Sequence, residues 1–434
     1  MYLRTTLHRF FTSTIVPTRA AALGVIFVFA VASFASAQTY TVLHNFTGYD
    51  GYSPFDTLTL DAAGNLYGTA ALSFPGKGTV FELKHAHGAW LMNPLFYFDG
   101  ANGWYPSAGV VFGPDGRLYG TTFQGGLGSC QDGCGVVYAL QPPPGPCSTA
   151  FCRWNETILY QFSGGSDGAL PVSGNLVFDA SGNLYGTTTW GGTGGHGTVF
   201  ELSPANGGWT EKVLYSFAGG DDGADPIAGV VFDAAGNIFG TTQAGGGGST
   251  GCNGQGCGTV FELSPAGTGW TETVLHRFQG TTDGGEPDGA LVLAPNGNFY
   301  GATLVGGLDD GGVVFALQPA GGSWTFVPFY DLPSTGLSGG GPMNTLAVDA
   351  SGALYGANFV DGADGLGSVF KLAPGNGGWI YSNLYSFMLA QGGYWSYGGV
   401  ILDSSGNLYG TTADGGLNYC GFETTCGVIW EVTP

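Results

Sequence analysis

Gly182-Asn183-Leu184-Tyr185-Gly186-Thr187-Thr188 recurs along the chain as Leu-Tyr-Gly or a close variant. The closing glycine occurs seven times, at intervals between 52 residues (Gly68 to Gly120) and 66 residues (Gly120 to Gly186). The seven positions are Gly68, Gly120, Gly186, Gly240, Gly301, Gly356 and Gly410. A repeat of this length indicates an array of similar supersecondary units.

The unit from Ile227 to Phe278 shows what one repeat contains. An apolar run at 229–232 ends in the turn Asp233-Ala234-Ala235-Gly236, where aspartate accepts backbone hydrogen bonds and glycine supplies a positive φ. Segments rich in β-branched and aromatic residues follow at 237–242, 258–263 and 270–278, and this composition is typical of strands. The pattern predicts four short antiparallel strands per unit and no helical period after residue 37.

The two ends of the chain predict how the array closes. Four-stranded sheets repeated around a ring are the blades of a β-propeller, whereas the repeats of a β-solenoid, the alternative, are shorter. Residues 39–46 match the fourth strand of a unit, and residues 426–434 stop after a third strand. We therefore predict an all-β fold: a seven-bladed β-propeller of four-stranded antiparallel blades, a single domain over 38–434, with its last blade closed by the N-terminal strand 39–46.

Three repeated segments carry a resemblance to a known family. They are Asn183-Leu-Tyr-Gly-Thr-Thr188, Gly197-Thr-Val-Phe-Glu-Leu202 and Gly208-Trp-Thr-Glu-Lys-Val-Leu-Tyr-Ser-Phe217. They resemble the bacterial GloVer (Gloeo/Verruco-type) tandem repeats of choice-of-anchor proteins, and the match covers essentially all of 38–434. The resemblance implies an exported or surface-displayed repeat protein of a family with no assigned activity. Members often carry a C-terminal sorting anchor, which we do not recognise in this sequence.

Residues 1–37 read as a secretory signal. Arg4, Arg9 and Arg19 precede or open an apolar run at 20–34, and Ala35-Ser36-Ala37 is a small-x-small cleavage site. A retained membrane anchor is the alternative, but the run is short for a membrane span. We expect an exported chain, in the periplasm, at the cell surface or outside the cell, with no stable membrane insertion after cleavage.

The charge balance bears on partners. The chain has a formal net charge of −21, or −24 without residues 1–37, which hold three arginines and no acidic residue. Such a surface argues against nucleic acid and anionic membrane as partners, and we expect a monomer. Charged residues make up only 9% and apolar residues 43%, so the composition is that of a folded chain.

The cysteines pair by proximity. Because an exported chain meets an oxidising compartment, we predict four local disulfides, and zinc is the weaker alternative because no histidine lies near any pair. The predicted pairs are Cys130/Cys134, Cys147/Cys152, Cys252/Cys257 and Cys420/Cys426.

Residues that recur in every unit are interpreted as structural. The glycine of Tyr-Gly is expected to allow close approach between neighbouring blades. The turn aspartates are Asp61, Asp115, Asp179, Asp233, Asp349 and Asp403, and Pro295-Asn296-Gly297 replaces one of them. The tryptophans that open fourth strands are interpreted as blade packing and not as sugar platforms: Trp90, Trp154, Trp209, Trp270, Trp324 and Trp379.

Function is expected where the repeat pattern is broken, in loops that share one face of a propeller. Aromatic residues on this rim can stack on sugars or bind a protein partner, with loop packing as the alternative. The candidate ligand-binding residues are Tyr49, Tyr52, Trp104, Tyr105, Trp190, His196, Tyr394, Trp395 and Tyr397. The loops on the side of the ring opposite these aromatic loops are acidic, with Asp167, Asp221, Asp222, Asp225, Asp283, Glu286 and Asp288. No cofactor is required, but Asp167, Asp222 and Asp283 are candidate Ca²⁺ ligands, with solvated turns as the alternative.

Catalytic signals are weak, since the chain has no nucleophile elbow on a strand-to-helix turn, no His-Glu-x-x-His and no P-loop. We assign no catalytic residue. The favoured function is binding of a glycan or protein on the loop face. The alternatives are a carbohydrate-active hydrolase or lyase that uses rim carboxylates, and a purely structural envelope protein.

Overall fold

The computed structural model describes residues 38–433, except 87, 146–151, 206, 248–251, 253, 335–339, 390–391 and 422–423. Residues 1–37, with the predicted signal segment, lie outside the described residues. No helix in the described part of the chain has the length and apolarity needed to cross a membrane. Its strands form seven antiparallel sheets of four strands each.

Each sheet is one blade of a ring, and six blades are formed by consecutive strands. The first blade has β2 (Thr59–Leu60), β3 (Leu66–Ala70), β4 (Thr79–Ala86) and β5 (Ala89–Tyr97), and the second has β6 (Val111–Phe112), β7 (Leu118–Thr122), β8 (Val136–Gln141) and β9 (Asn155–Gln161). The third has β10 (Val177–Phe178), β11 (Leu184–Thr188), β12 (Thr198–Ala205) and β13 (Gly208–Ser216), and the fourth has β14 (Val231–Phe232), β15 (Ile238–Thr242), β16 (Thr259–Ala266) and β17 (Gly269–Arg277). The fifth has β18 (Val292–Leu293), β19 (Phe299–Ala302), β20 (Val313–Pro319) and β21 (Trp324–Asp331), and the sixth has β22 (Ala347–Val348), β23 (Leu354–Asn358), β24 (Ser368–Gly375) and β25 (Gly378–Ser386).

The seventh blade joins the two ends of the chain. Its strands β26 (Ile401–Leu402), β27 (Leu408–Thr412) and β28 (Val428–Thr433) are completed by β1 (Thr39–Asn45). β1 pairs with β28 from Thr39 opposite Thr433 to Asn45 opposite Val428, with a bulge between Val42 and His44. The predicted seven-bladed, all-β propeller and its closure by the N-terminal strand are confirmed.

Seven apolar cores lie between the blades, one at each junction between neighbours. The core that closes the ring brings Phe46, Leu66 and Phe81 against Tyr409 and Ile429. Burial of each large apolar side chain contributes about 1.5–3 kcal/mol, so the closing junction is held by packing as well as by strand pairing.

The Tyr-Gly glycines accommodate an aromatic ring of their own blade. A Cβ on Gly186 would lie 2.7 Å from the ring of Phe200, which is its partner in the adjacent strand. At Gly410 the corresponding ring belongs to Trp430. The expectation of blade-to-blade approach at this glycine is therefore wrong, because the space is taken by the cross-strand side chain.

The other repeated residues have the predicted structural roles. The Asp179 carboxylate accepts hydrogen bonds from the backbone N–H groups of Ser181 and Asn183, both at 2.8 Å. At the exceptional turn, the Gly297 N–H donates to the Ala294 carbonyl at 2.9 Å. The tryptophans Trp90, Trp154, Trp209, Trp270, Trp324 and Trp379 pack against the interblade cores.

Candidate functional site

Each blade is entered through a segment fixed at the junction with the preceding blade. The Asp225 N–H donates to the His196 carbonyl of the third blade at 3.1 Å, and the Asp225 carbonyl accepts from the Gln243 N–H at 3.0 Å. In six blades the residue that makes these two backbone hydrogen bonds has a positive φ. This conformation costs about 1–3 kcal/mol and persists where surrounding contacts impose it. The six residues are Ser53 (53°), Tyr105 (60°), Leu170 (57°), Asp225 (55°), Glu286 (54°) and Trp395 (59°). These bonds place the entry segments and the loops between second and third strands next to one another, on one face of the ring.

Two positions beyond each of these residues, a side chain lines a cavity at the centre of the ring. Five of the six positive-φ residues precede a proline, so the lining residue usually follows an X-Pro pair. The cavity, here called the mouth cavity, has a volume of about 330 Å³. These residues come from six of the seven blades: Phe55, Ser107, Val172, Ile227, Asp288 and Tyr397. Met343, which follows Pro342 in the sixth blade, completes the ring of side chains, and Tyr105, Phe123, Ser173 and Gln243 complete the lining.

Asp56 closes the floor of the mouth cavity, because it bonds to several blades around the ring axis. Its carboxylate accepts hydrogen bonds from Gly109 N of the second blade (2.9 Å), Gly174 N of the third (3.2 Å) and Asn344 Nδ2 of the sixth (2.9 Å), besides its neighbour Thr57 N. Burial raises the pKa of the Asp56 carboxyl, and the four N–H donors partly offset this rise. A second cavity of about 590 Å³, lined mainly by the first strands, lies beyond it.

One side of the mouth cavity is aromatic. Phe55 contacts Tyr397 (ring centroids 5.0 Å apart) and Tyr105 (5.9 Å). Tyr397 contacts Phe359 at 4.7 Å, and Phe359 contacts Trp395 at 6.2 Å. The structure thus brings together Tyr105, Trp395 and Tyr397, which the sequence predicted, through two phenylalanines that the sequence analysis missed. The X-Pro repeat could have identified Phe55.

The remaining predicted aromatic residues lie farther out. Tyr49 and Tyr52 pack against Phe74, at 5.4 and 5.6 Å between centroids. Tyr49 is 69% exposed and Phe74 is 50% exposed. Trp104 is covered by the Lys77 ammonium group, 4.2 Å from the ring centroid, so it packs within the junction. Tyr394 contacts the ring of Trp395.

The opposite side of the mouth cavity carries one carboxyl group, that of Asp288. Asp288 is only 3% exposed, and its Oδ1 accepts a hydrogen bond from Gln243 Nε2 at 2.9 Å. Burial, with the negative charge of nearby Glu286, raises the pKa of Asp288 to about 8, although the Gln243 bond lowers it. A titratable group with a strongly shifted pKa in a cavity is a common feature of binding and catalytic sites.

The three candidate calcium ligands do not converge. Asp167, Asp222 and Asp283 each lie in a different entry loop, and Asp222 ends the 3-10 turn Gly220–Asp222. Each carboxylate accepts a hydrogen bond from its own loop backbone and from a fourth-strand ring: Tyr160 (3.0 Å), Tyr215 (3.1 Å) and His276 (3.0 Å). Among the described residues, no three His, Cys, Asp or Glu side chains are grouped to hold a metal ion. Calcium binding stays a prediction.

Trp190 and His196 line a separate cavity of about 680 Å³ between the third and fourth blades, here called the groove. Trp190 is 58% exposed. Asp225 and Gln255 add polar groups, and the rest of the lining is alanine and glycine. Burial raises the pKa of Asp225, and the nearby His196 lowers it.

Three of the four predicted disulfides are present: Cys130–Cys134, Cys252–Cys257 and Cys420–Cys426. Each bridges a loop between a second and a third strand, next to the entry segment of another blade. Disulfides are typical of oxidising compartments outside the cytoplasm.

The fourth predicted pair, Cys147 with Cys152, is not among the disulfides seen within the described residues. Cys147 lies outside them, so the structure does not test this pairing. Cys152 is described and is not a free thiol; its N–H donates to Asn93 Oδ1 of the first blade at 3.2 Å. Cys152 lies just before β9, in the connection between a third and a fourth strand, and therefore away from the loops that carry the other three bridges. The Cys147/Cys152 bridge stays a prediction.

Comparison with known proteins places this architecture in a family. A search of curated proteins finds no match. Similar solved structures include a putative 6-phosphogluconolactonase from Bacteroides uniformis (15% identity, TM-score 0.50, 85% of this chain and 98% of that one). Another is polysaccharide lyase Uly1 (10% identity, TM-score 0.51, 90% and 99%). At these identities the likeness concerns the fold alone. The model of the Gloeobacter/Verrucomicrobia repeat matches residues 11–155, 129–253 and 249–434, and the chain therefore belongs to this repeat family.

Proposed function

We propose that this protein is an exported carbohydrate-binding protein that holds a sugar unit in the mouth cavity. The observation that carries the proposal is the two-sided lining of this cavity. Phe55, Tyr105 and Tyr397 form an aromatic wall, and Asp288 and Gln243 supply polar groups opposite it. A sugar ring has apolar C–H faces and polar hydroxyl edges, so it matches both sides of such a cavity.

The closed floor of the mouth cavity favours recognition of the end of a glycan chain. Asp56 closes the floor through bonds to the second, third and sixth blades, so a polymer cannot thread through at this point. The volume of about 330 Å³ lies at the small end of the range for ligand sites. A terminal sugar unit inserted from the loop face fits these limits.

The negative charge of the protein limits the class of sugar that the mouth cavity can bind. The formal net charge of the chain is −21, and Glu286 and Asp288 are both nearly buried on the polar side of the mouth. Bringing a uronate or sulfated sugar to this acidic protein would cost electrostatic free energy, and the negative charge of Glu286 near Asp288 adds to that cost. We therefore infer that the ligand is a neutral, N-acetylated or amino sugar.

The number of carboxyl groups at the mouth cavity favours sugar binding over glycoside hydrolysis. Most glycosidases use two carboxyl groups that flank the bond to be cleaved. Among the described residues that line the wall of the mouth cavity, Asp288 is the single carboxyl, and the Asp56 carboxylate at the floor is engaged by four N–H donors. Protein recognition by the exposed Tyr49 and Phe74 is the competing interpretation, and a glycan test separates the two.

A glycan array with neutral, amino and uronate sugars tests the proposal. We expect binding to neutral or amino sugars, and a loss of at least about tenfold in affinity for Phe55→Ala and Tyr397→Ala. Tyr419→Ala is the matched control, because Tyr419 is 74% exposed and lies outside the mouth lining. Absence of any glycan signal, or equal binding by the mouth variants, would remove the proposed function.

A further inference from the structure

The groove differs from three of the other junctions in one repeated position. The carbonyl of His196 accepts the N–H of Asp225, and the carbonyls of Cys134, Cys257 and Cys426 accept the N–H of Leu170, Glu286 and Ser53 in the same way. His196 therefore stands where three other blades have a disulfide-bonded cysteine.

In two other junctions the corresponding space is filled. A Cβ on Gly164 would lie 2.7 Å from Cys134 Sγ, which shows that this disulfide packs directly on the entry loop of the third blade. Between the first and second blades, Lys77 covers Trp104 instead. Between the third and fourth blades, the imidazole of His196 lies against Gly219, and about 680 Å³ stays open beside it.

We propose that the groove is a second carbohydrate subsite, so that the ligand is an oligosaccharide that runs from the mouth cavity across Trp190. This inference rests on the proposed function of the mouth cavity. Trp190 offers an exposed ring for stacking, and the carboxylate of Asp225 and the imidazole of His196 offer hydrogen bonds to hydroxyl groups. Ala218, Gly219 and Gly220 leave room for a sugar ring above the backbone.

The two cavities share a wall. Asp225 lines the groove, and Ile227, two residues later, lines the mouth cavity. Similarly, Ala244 lines the groove, and the preceding Gln243 lines the mouth cavity, where it bonds to Asp288. Two residues of extended chain span at most about 7 Å, so the two cavities are close neighbours, as the proposed oligosaccharide site requires.

The groove is polar along its rim as well as aromatic. Asp225 is half-buried, has a positive φ of 55°, and is fixed by backbone hydrogen bonds on both sides. Its backbone is therefore held in place before any ligand arrives, which lowers the entropic cost of binding. Of the corresponding residues, Ser53 and Leu170 are uncharged, and Glu286 is acidic but nearly buried.

The test is isothermal titration with glucose-, mannose-, xylose- and N-acetylglucosamine-based saccharides of one to six units. We expect the wild type to bind the longer members of one series about tenfold more tightly than its monosaccharide and disaccharide. Trp190→Ala and His196→Gln should lose this gain and keep wild-type affinity for the short members. Phe55→Ala should weaken binding at every length, and Tyr419→Ala should leave the whole series unchanged.

The outcomes separate the two proposals. If affinity does not depend on length, or if Trp190→Ala binds long members like the wild type, the groove is not a subsite and the mouth proposal stands. If no saccharide binds at any length, the proposed function fails, and the subsite fails with it.

Discussion

Gln243 Nε2 donates a hydrogen bond to Asp288 Oδ1 at 2.9 Å, linking the fourth and fifth blades at the mouth cavity. Asp288 is nearly buried, and its pKa is raised to about 8 by burial and by the nearby Glu286 carboxylate. The carboxyl group is therefore protonated at neutral pH and can both donate and accept hydrogen bonds.

This protonation predicts a pH-dependent affinity for sugar. As pH rises through about 8, Asp288 becomes a carboxylate, and covering it with a ligand then costs desolvation free energy. We expect affinity for a neutral saccharide to fall between pH 7 and 9, measured by titration calorimetry. Asp288→Asn should abolish this fall, and a wild-type affinity that is flat across that range would contradict the assigned protonation state.

A second pH effect concerns stability. Glu156, Glu211 and Glu272 occupy equivalent positions in fourth strands, and burial is the largest cause that raises the pKa of each to about 7. An aspartate of the neighbouring loop adds to each rise. Because the folded-state pKa lies above the ordinary value of 4.5, the stabilisation is fully present below about pH 4.5 and is lost as pH rises through about 7.

Thermal unfolding at pH 5 and pH 8 checks this effect. Each carboxyl is only partly buried, so solvent screening limits its contribution to about 1 kcal/mol. We expect a higher melting temperature at pH 5 and a smaller difference in the triple variant Glu156→Gln, Glu211→Gln and Glu272→Gln. Identical pH dependence in the triple variant would assign the effect to other groups.

Asp56 provides a test of the ring centre. Asp56→Ala removes the acceptor for Gly109 N, Gly174 N and Asn344 Nδ2, and leaves these donors without their partner. Because an unsatisfied buried donor costs about 1–3 kcal/mol, we expect a loss of at least about 3 kcal/mol in the free energy of unfolding, measured in urea. The exposed Asp364→Ala is the control. A loss equal to that of the control would show that the central bonds contribute little.

Ring closure predicts the behaviour of a shortened chain. Deleting residues 39–46 removes β1 from its pairing with β28 and removes Phe46 from the closing core. We expect a lower melting temperature and aggregation through the exposed edge of β28. Light scattering and calorimetry measure both, and a deletion variant that stays monomeric and melts with the wild type would refute the closure.

The sequence predicted the fold more completely than the site. The Leu-Tyr-Gly period, the turn aspartates and the spare strand at 39–46 specify strand pairing within each blade, and this pairing repeats, so it can be recognised in the sequence. The sequence does not show how far each side chain lies from the ring axis. The aromatic and acidic sectors were anticipated, but Phe55, Phe359 and the central Asp56 acquire their roles only because seven entry segments converge.

The glycine interpretation failed for a related reason. A missing side chain shows that space is needed, but not what fills it. At Gly186 the occupant is Phe200 of the paired strand, which the register determines and the period does not.

The most direct test of sugar binding in the mouth cavity is a crystal structure of the protein with the saccharide that binds best in the titrations. We expect a terminal sugar unit in the mouth cavity, stacked against Phe55 or Tyr397 and hydrogen-bonded to Asp288, with the next units directed toward Trp190. A sugar bound elsewhere on the propeller, with the mouth cavity empty, would contradict it.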